Sequence, residues 1–414
     1  MRYLKIGVGL LFFFSFFNKA KLGFAEEEEI RQEIERLKQR ITQLEARLGE
    51  EDTGKIGSDF FKGLNISAGA TFIFQATYNA NGDNLSKKGE DVADTSYSVD
   101  VELEKEFSDY GRAYLHFEAG GGEGLTDELK LFSNVNADVT GDENFDLIEA
   151  YYEHYFKSIP LILTFGKLDA TVYIDTNEYA NDETTQFLGD SFKNSPLIEF
   201  PDDNGPGLRL SFKPKRFLEI ELLAMDANSD WEDLFDNMFL AVQCNFKPQG
   251  FSRSGNYRLY VWLNDKNHVK WKEPASTKKR GYGLGVSIDQ ELTNSLGLFL
   301  RYGWQNPKVY LQGEETSFEH FWSIGLQISG NLWGREQDSL GLAFSQIYPS
   351  SDYKEANSFK AKPEEHLEAY YNFRINEHLA LSPDFQVIWE PYGRDAPKGE
   401  DTIFVGGLRA QIDF

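Results

Sequence analysis

Residues 161–212 read LILTFGKLDATVYIDTNEYANDETTQFLGDSFKNSPLIEFPDDNGPGLRLSF, and this segment decides the fold. Its two ends alternate between apolar and polar residues as β-strands do, and the long polar stretch between them is interrupted by aromatic residues. A structureless loop of this length is uncommon in a compact domain and is usually functional or disordered. Because the aromatic residues argue against disorder, we interpret the stretch as a folded loop packed inside a hollow structure.

The first 25 residues have the pattern of a signal peptide. A positively charged start is followed by an apolar run over residues 6–17, and small residues lead to Ala25. The apolar run is too short to span a bilayer as a helix, so we predict cleavage after Ala25. The alternative is a membrane anchor.

Composition excludes several classes of protein. Removing the four basic residues of the signal from a chain of formal charge −25 leaves −29, which disfavours a nucleic-acid partner. The single cysteine, Cys244, excludes an internal disulfide and a thiolate zinc site. Aromatic residues make up 15% of the chain, which also contains 36 glycines. Its mean hydropathy is −0.48. An exported chain of this kind, without an apolar helix, fits an outer-membrane β-barrel.

Residues 26–50 carry a heptad pattern that predicts a short α-helical coiled coil in the periplasm. Isoleucine and leucine recur at alternating spacings of four and three residues. This heptad pattern by itself favours a two-stranded coiled coil. Residues 40–45, RITQLE, resemble a known trimerisation motif, so we favour a homotrimer, with peptidoglycan as a candidate contact. The alternative is a single amphipathic helix. The residues assigned to trimerisation are Ile34, Leu37, Arg40, Ile41, Leu44 and Glu45.

A polar linker over residues 51–60 precedes segments of strand length with period-two alternation, which continue to the end of the chain. In the first of them, Ile66 to Tyr78, alternate residues are apolar. Alternation alone does not distinguish a soluble sandwich from a barrel. We count about sixteen segments, an even number typical of porins. The last ends on Phe414, as outer-membrane barrels do. We predict an all-β, transmembrane antiparallel barrel of about sixteen strands over residues 61–414, with a constriction loop at about residues 170–204.

Catalytic and metal-binding patterns are absent from the sequence. The six histidines stand apart, and the glycine-rich stretches lack a strand–turn–helix context. We therefore predict no metal, no cofactor and no enzymatic activity.

A pore instead needs charged and hydrogen-bonding side chains on lumen-facing positions and a constriction that brings them close together. The central loop and the polar faces of neighbouring strands supply such groups, interleaved with aromatic residues that suit sugar rings. The candidates for pore constriction and solute binding are Arg112, Glu149, Glu153, Lys167, Asp169, Asp175, Asn177, Asp182, Glu183, Arg209, Arg374, Asp384 and Gln386.

Three ordered groups of motifs resemble the OprB-type carbohydrate-selective porins, over roughly residues 60–414. They are FGKLD (165–169) with DTN (175–177), ANDETTQFL (180–188) and NSP (194–196); GREQDSLGLAF (334–344); and EAYY (368–371) with LSPDFQ (381–386).

The resemblance implies a sixteen-stranded barrel in the outer membrane, passive diffusion, and a constriction loop whose arginines and carboxylates favour sugars. Here the loop is acidic and has few arginines, so a general or cation-preferring porin is an alternative. Two alternatives come from other classes. A structural tether or adhesin would have a plugged lumen, and an outer-membrane enzyme would lose hydrolysis on the change of one lumen side chain.

Overall fold

The computed structural model describes residues 62–80, 91–126, 128–139, 144–248, 253–276, 278–394 and 402–414. The predicted signal peptide, coiled coil and linker lie outside the described residues. The chain divides into residues 1–64 and a second unit, Asn65–Phe414. Across the described residues, no helix has the length and apolarity needed to cross a membrane.

The described residues form one antiparallel sheet of seventeen strands, sixteen of them long. The strands are β1 Leu64–Tyr78, β2 Ala93–Glu106, β3 Gly111–Gly121, β4 Phe145–Phe156, β5 Leu161–Leu168, β6 Gly205–Lys215, β7 Leu218–Asp226, β8 Met238–Phe246, β9 Gly255–Lys270, β10 Lys279–Thr293, β11 Leu296–Gln305, β12 Val309–Leu311, β13 Phe318–Ser329, β14 Ser339–Pro349, β15 Glu364–Arg374, β16 Leu379–Trp389 and β17 Thr402–Asp413.

The sheet closes on itself, which confirms the predicted barrel of about sixteen strands. Each long strand pairs with its neighbour in the chain, and β1 also pairs with β17, where Thr71 lies opposite Gln411. The three-residue β12 extends the β11–β13 connection and pairs with the end of β9. Closure removes the unpaired edges that an open sheet would expose.

The period-two alternation predicted for the strands becomes an apolar outer face and a polar inner face. On β1, Phe72 and Phe74 are 47% and 43% exposed on the outside, whereas Thr71 and Gln75, which flank this pair, are buried in the lumen. This is the arrangement expected of a barrel in lipid, where apolar side chains point outward.

The two ends of the barrel differ in their connections. Short turns join β2 to β3, β6 to β7 and β10 to β11 at the end that holds the C-terminus, where the Phe414 amide donates to the Ala68 carbonyl oxygen (2.9 Å). Longer loops lie at the other end. The described helices are α1 Asp190–Lys193, α2 Ser351–Asn357 and the 3₁₀ segments Gly330–Trp333 and Pro391–Arg394.

Two of the long loops fold into the lumen. The constriction loop, residues 169–204 between β5 and β6, packs Ile174 and Ile198 against lumen-facing residues of β7–β9. The second inward loop, described over residues 122–126 and 128–139 after β3, contacts the constriction loop through backbone hydrogen bonds, from Ala137 to Leu188 (2.8 Å) and from Asp190 to Asn134 (3.1 Å). The first loop was expected from its polar, aromatic sequence, whereas the second was not expected.

Candidate functional site: the lumen passage

Arg301 on β11 fixes the middle of the constriction loop to the barrel wall. Its side chain is fully buried, and its Nε lies 3.2 Å from the Asp175 carboxylate. Its terminal nitrogens donate to the carbonyl oxygens of Phe192 (2.7 Å), Ala180 (2.6 Å), Lys193 (3.0 Å) and Asp175 itself (3.0 Å). Irregular backbone buried in a lumen needs donors for its carbonyl groups, and a guanidinium supplies five in one rigid fork.

The neighbouring part of the loop is held in the same way by β17 and β15. Arg409 donates to the carbonyl oxygens of Glu183 (2.6 Å) and Gln186 (2.9 Å), and Asn372 donates to that of Thr185 (3.0 Å). Two buried arginines therefore bind backbone rather than face the passage.

Glu368 on β15 completes the attachment. Its carboxylate accepts the backbone amides of Leu188 (2.6 Å) and Gly189 (2.9 Å). Beside it, Gln386 and Gln75 both donate to the carbonyl oxygen of Val135 in the second inward loop, each at 2.9 Å. The motifs ANDETTQFL, EAYY and LSPDFQ, which are distant in sequence, thus meet at the place where both inward loops are attached.

The motif GREQD serves the other end of the barrel. Arg335 pairs with Asp338 (2.5 Å), and Asp338 accepts hydrogen bonds from the Tyr371 hydroxyl (2.6 Å) and the Arg374 amide (3.0 Å). This motif stabilises the turn before β14 against β15, and nothing in its geometry presents it to a solute in the lumen.

A cavity of about 570 Å³ remains open beside the two inward loops, against β3–β5. Its ionisable lining is mainly acidic: Glu118, Asp138, Asp146, Glu183 and Asp203, with Lys167 and Lys193. Lys193 and Glu183 form an ion pair with each other. Burial, followed by the charge of Glu183, raises the pKa of Asp138 to about 8, even though the Ser98 hydroxyl donates to it. We call this cavity the passage.

A chain of alternating charges crosses the lumen face of β2–β7. Glu104 pairs with Arg112 (2.8 Å), Arg112 with Glu153 (3.2 Å), Glu153 with Arg209 (3.2 Å), and Arg209 with Glu221 (2.7 Å). We call these five residues the Arg–Glu girdle. Each arginine is shared between two carboxylates, which leaves the girdle with one excess negative charge.

Tyr114, Tyr151 and Tyr173 lie beside this girdle and form what we call the tyrosine shelf. The rings of Tyr114 and Tyr151 have centroids 5.1 Å apart. The guanidinium carbon of Arg209 lies 4.6 Å from the centroid of Tyr173, and that of Arg112 lies 5.9 Å from the centroid of Tyr151. All three residues are half-buried.

The structure brings together six of the residues predicted for pore constriction. Arg112, Glu153 and Arg209 lie in the girdle, Glu183 lines the passage, and Glu149 accepts the Asp169 backbone amide (3.3 Å) between these two regions. A β-bulge where β3 pairs with β4 sets Glu149 opposite His116 and moves Asp146 to the lumen side. Bulges of this kind redirect side chains near functional sites.

Four of the residues predicted for pore constriction and solute binding are buried, so a solute cannot contact them. Asp175 is fully buried against Arg301, and Asn177 donates to the Ser287 hydroxyl (3.1 Å) under the loop. The two remaining residues, Asp384 and Gln386, are buried beneath the second inward loop. Their side chains hold the loops in place and are not available to a solute.

Three further residues depart from the expectation for other reasons. Asp182 caps a turn inside the loop by accepting the Thr184 amide (2.9 Å). Lys167 lines the passage only at its edge, because it shares the outward strand face of Phe165 and its ammonium group donates to the Leu147 carbonyl oxygen (2.6 Å). Arg374 lies at the C-terminal end of the barrel and pairs with Asp413 (2.9 Å).

Sequence reasoning missed Arg301, Arg409 and Glu368 as the residues that position the loop. A usable signal was present on β11, where Arg301 shares its strand face with Gly297 and Gly303. The Tyr179 ring packs on Gly297, and an added Cβ would meet ring atoms at 2.1–2.5 Å. An arginine between two glycines on a lumen face therefore indicates that another segment approaches the wall closely.

Metal-ligating side chains form one group among the described residues. Ligand atoms of Asp100, His116 and Glu118 lie within 4.8 Å of one another on β2 and β3. No metal site was expected here, because none of the histidines has a ligand at characteristic spacing along the chain.

A closed barrel with sixteen long strands and a loop folded into its lumen is the architecture of porins. The model of the family described as "Carbohydrate-selective porin, OprB family" matches residues 86–414. The chain belongs to this family, which confirms the resemblance drawn from the motifs. The fold and the family place it in the outer membrane.

Solved structures show the same fold. The high-pH structure of Pseudomonas putida OprB superposes with a TM-score of 0.73 at 16% identity, covering 88% of this chain and 96% of that one. The outer-membrane channel DcaP of Acinetobacter baumannii gives 0.52 at 12% identity, covering 85% and 98%. A protein of Aquifex aeolicus (strain VF5), described only as uncharacterized, is 30% identical over 223 residues. That match spans 54% of this chain and 58% of the relative's length.

Proposed function

We propose that the protein is a passive diffusion channel for small hydrophilic solutes, with carbohydrates as the favoured class, and that it carries out no catalysis. One observation carries the proposal: the inward loops leave a passage that is lined by charged groups, and two members of the tyrosine shelf lie on β3 and β4, strands that also line the passage. The family supports carbohydrates as the class of solute.

The tyrosine shelf and the girdle suit a pyranose in complementary ways. Aromatic faces bury large apolar area and can pack on the C–H face of a sugar ring. The girdle offers fixed donors from Arg112 and Arg209 and acceptors from Glu153 to the hydroxyl groups. Because the girdle residues are held by each other, they keep their positions without a bound solute, which reduces the cost of ordering them on binding.

The acidic lining of the passage favours a second candidate, a cation-preferring porin. Five carboxylates and two ammonium groups lie among the residues that line it. Rings of carboxylates select for cations. A single channel can have both properties, since a sugar is uncharged and its passage is limited by size and hydrogen bonding.

Planar-bilayer recordings of the purified protein test both candidates. We expect open channels whose ionic current falls as a disaccharide is titrated in, and whose reversal potential in a salt gradient shows cation preference. Tyr151→Ala should weaken the block by the sugar, whereas Tyr151→Phe, which keeps the ring, should not. Channels indifferent to every sugar tested would leave the cation-preferring porin, and an absence of conductance would contradict both.

We further propose a homotrimer joined through the periplasmic coiled coil, with residues 1–25 as a cleaved signal and 51–60 as a linker. The heptad pattern and the RITQLE sequence support this arrangement. It implies that the C-terminal end of the barrel faces the periplasm, as short turns do in such barrels. Deleting residues 26–48 should lower the mass of the detergent-solubilised particle. A full-length protein that is already monomeric would contradict the trimer.

A further inference from the structure

We propose that Asp100, His116 and Glu118 form a binding site for a divalent transition-metal ion in the wall of the passage. The inference rests on the proposed function only in its consequence for conduction, since the site itself is defined by the barrel wall.

The three side chains converge because of the register between β2 and β3. Asp100 lies directly opposite Glu118, and His116 is diagonal to Asp100 on the same lumen face. The His116 Nε2 is 2.8 Å from an Asp100 carboxylate oxygen, and the ligand atoms of all three lie within 4.8 Å of one another. All three are half-buried. One ion at the centre of this group could contact each residue with little movement of the side chains.

The two carboxylates at this position share one imidazole, that of His116, and neither bonds to an arginine or lysine side chain among the described residues. Carboxylates directly opposite each other in a sheet repel, and Glu118 has no hydrogen-bond or ion-pair partner among the described residues. The ammonium group of Lys193 acts on Glu118, but it is bonded to Glu183. By contrast, Glu104 further along the lumen face of β2 is paired with Arg112, and Glu102, between Asp100 and Glu104, accepts the Ser67 hydroxyl (3.2 Å). Two carboxylates that face each other with one imidazole, and with ligand atoms within 4.8 Å of one another, form an arrangement that a divalent cation would stabilise.

The side chains define the class of ion. One imidazole and two carboxylates suit zinc and other first-row divalent ions, whereas calcium and magnesium prefer oxygen ligands alone. Three protein ligands leave coordination positions open for water, as in sites that exchange their ligands. Since Glu118 lines the passage, an ion in the lumen can reach the site without rearrangement of the barrel.

A bound divalent ion would change conduction. It would place two positive charges beside Asp138, Glu183 and Asp146, which lie in the same passage. We therefore expect zinc to lower the cation preference and to reduce the current carried by monovalent cations.

Zinc titration of the full-length, detergent-solubilised protein tests the site directly. Calorimetry should show one zinc site per chain, and His116→Gln and Asp100→Asn should each weaken it by about tenfold or more, as losses around metal sites typically do. His378→Gln is the matched control, because His378 also lies near a carboxylate, that of Glu377 (3.5 Å), but in an exposed turn. This control should leave the affinity unchanged.

Binding that is absent, or that is equally strong in His116→Gln and Asp100→Asn, would overturn the proposal. Zinc-dependent reduction of current in bilayers, lost in the same two variants, is the second readout. Channels that conduct normally but do not respond to zinc would refute the metal site while leaving the porin function intact.

Discussion

The two sides of the lumen use charged residues in opposite ways. On the β11–β17 side, Arg301 and Arg409 are fully buried and donate to backbone carbonyl groups of the constriction loop. On the β2–β5 side, carboxylates such as Glu118 and Asp146 line the open passage. The comparison shows that the residue type alone does not identify a pore lining. Whether a side chain binds backbone or faces the passage depends on where the loop lies.

The physical reason lies in what each partner requires. A loop without regular structure buries carbonyl groups that no helix or sheet satisfies, and each unsatisfied group is costly. Arginine satisfies several of them at once. A carboxylate accepts hydrogen bonds only, so on the passage side it remains available to water, cations or sugar hydroxyls.

Replacing Arg301 by leucine should produce the largest loss of stability, because it removes the side chain that attaches the constriction loop to the β11–β17 side of the lumen. The variant leaves Asp175 buried without its counterion and four carbonyl groups without a donor. Loss of one partner of a buried pair costs about 3–5 kcal/mol. Thermal unfolding followed by far-UV circular dichroism should show the loss, and single-channel traces should become noisier as the loop is released.

Two variants control this experiment. Arg374→Gln removes an arginine from the C-terminal end of the barrel, where its ion pair with Asp413 is partly exposed, and should cost less than about 1 kcal/mol. The double change Asp175→Leu with Arg301→Leu should recover part of the lost stability. If Arg301→Leu alone matches Arg374→Gln, the loop is not held by Arg301.

Gly297→Ala should cause the next largest loss of stability, since it pushes the constriction loop away from β11. The new Cβ would meet three atoms of the Tyr179 ring at 2.1–2.5 Å, and overpacking of this kind costs about 1–3 kcal/mol. Gly406→Ala is the control, because nothing lies within 4 Å of that position. Adding Tyr179→Ala to Gly297→Ala should restore part of the stability. The same unfolding assay would contradict the close packing if the two glycine variants behaved alike.

Reversing charge on the passage side should alter selectivity without affecting stability. Asp146 and Asp203 are exposed and line the passage, and their joint replacement by lysine turns the excess of carboxylates into an excess of ammonium groups. We expect the ratio of cation to anion permeability to fall severalfold, read from the reversal potential. Glu336→Lys, in the exposed turn before β14, adds a similar charge outside the passage and should leave the ratio near its original value.

The smallest expected effect is a change in cation preference with pH, caused by the titration of Asp138. Burial and the charge of Glu183 raise its pKa to about 8, so the carboxyl group is mostly neutral below that pH and ionised above it. Cation preference should therefore rise as the pH is raised through about 8. Asp138→Asn should abolish this step. A step that persists in the asparagine variant would assign the titration to another group.

The sequence determined much of the fold by itself. Strand alternation has a period of two that depends only on neighbouring residues, so the inner and outer faces of β1 could be assigned before the structure was known. The polar segment after β5 indicated the constriction loop because its aromatic residues argue against a disordered linker. The motifs identified the family for the same reason: they are local and ordered along the chain.

Only the tertiary structure decided which lumen residues face the passage. Asp384 and Glu118 both occupy strand positions that face the lumen, yet Asp384 is covered by the second inward loop and Glu118 is not. The bulge between β3 and β4 and the path of both loops depend on contacts between residues far apart in sequence. The alternation along a strand assigns a residue to the lumen. Its exposure within the lumen depends on which residues pack over it, and these are distant in sequence.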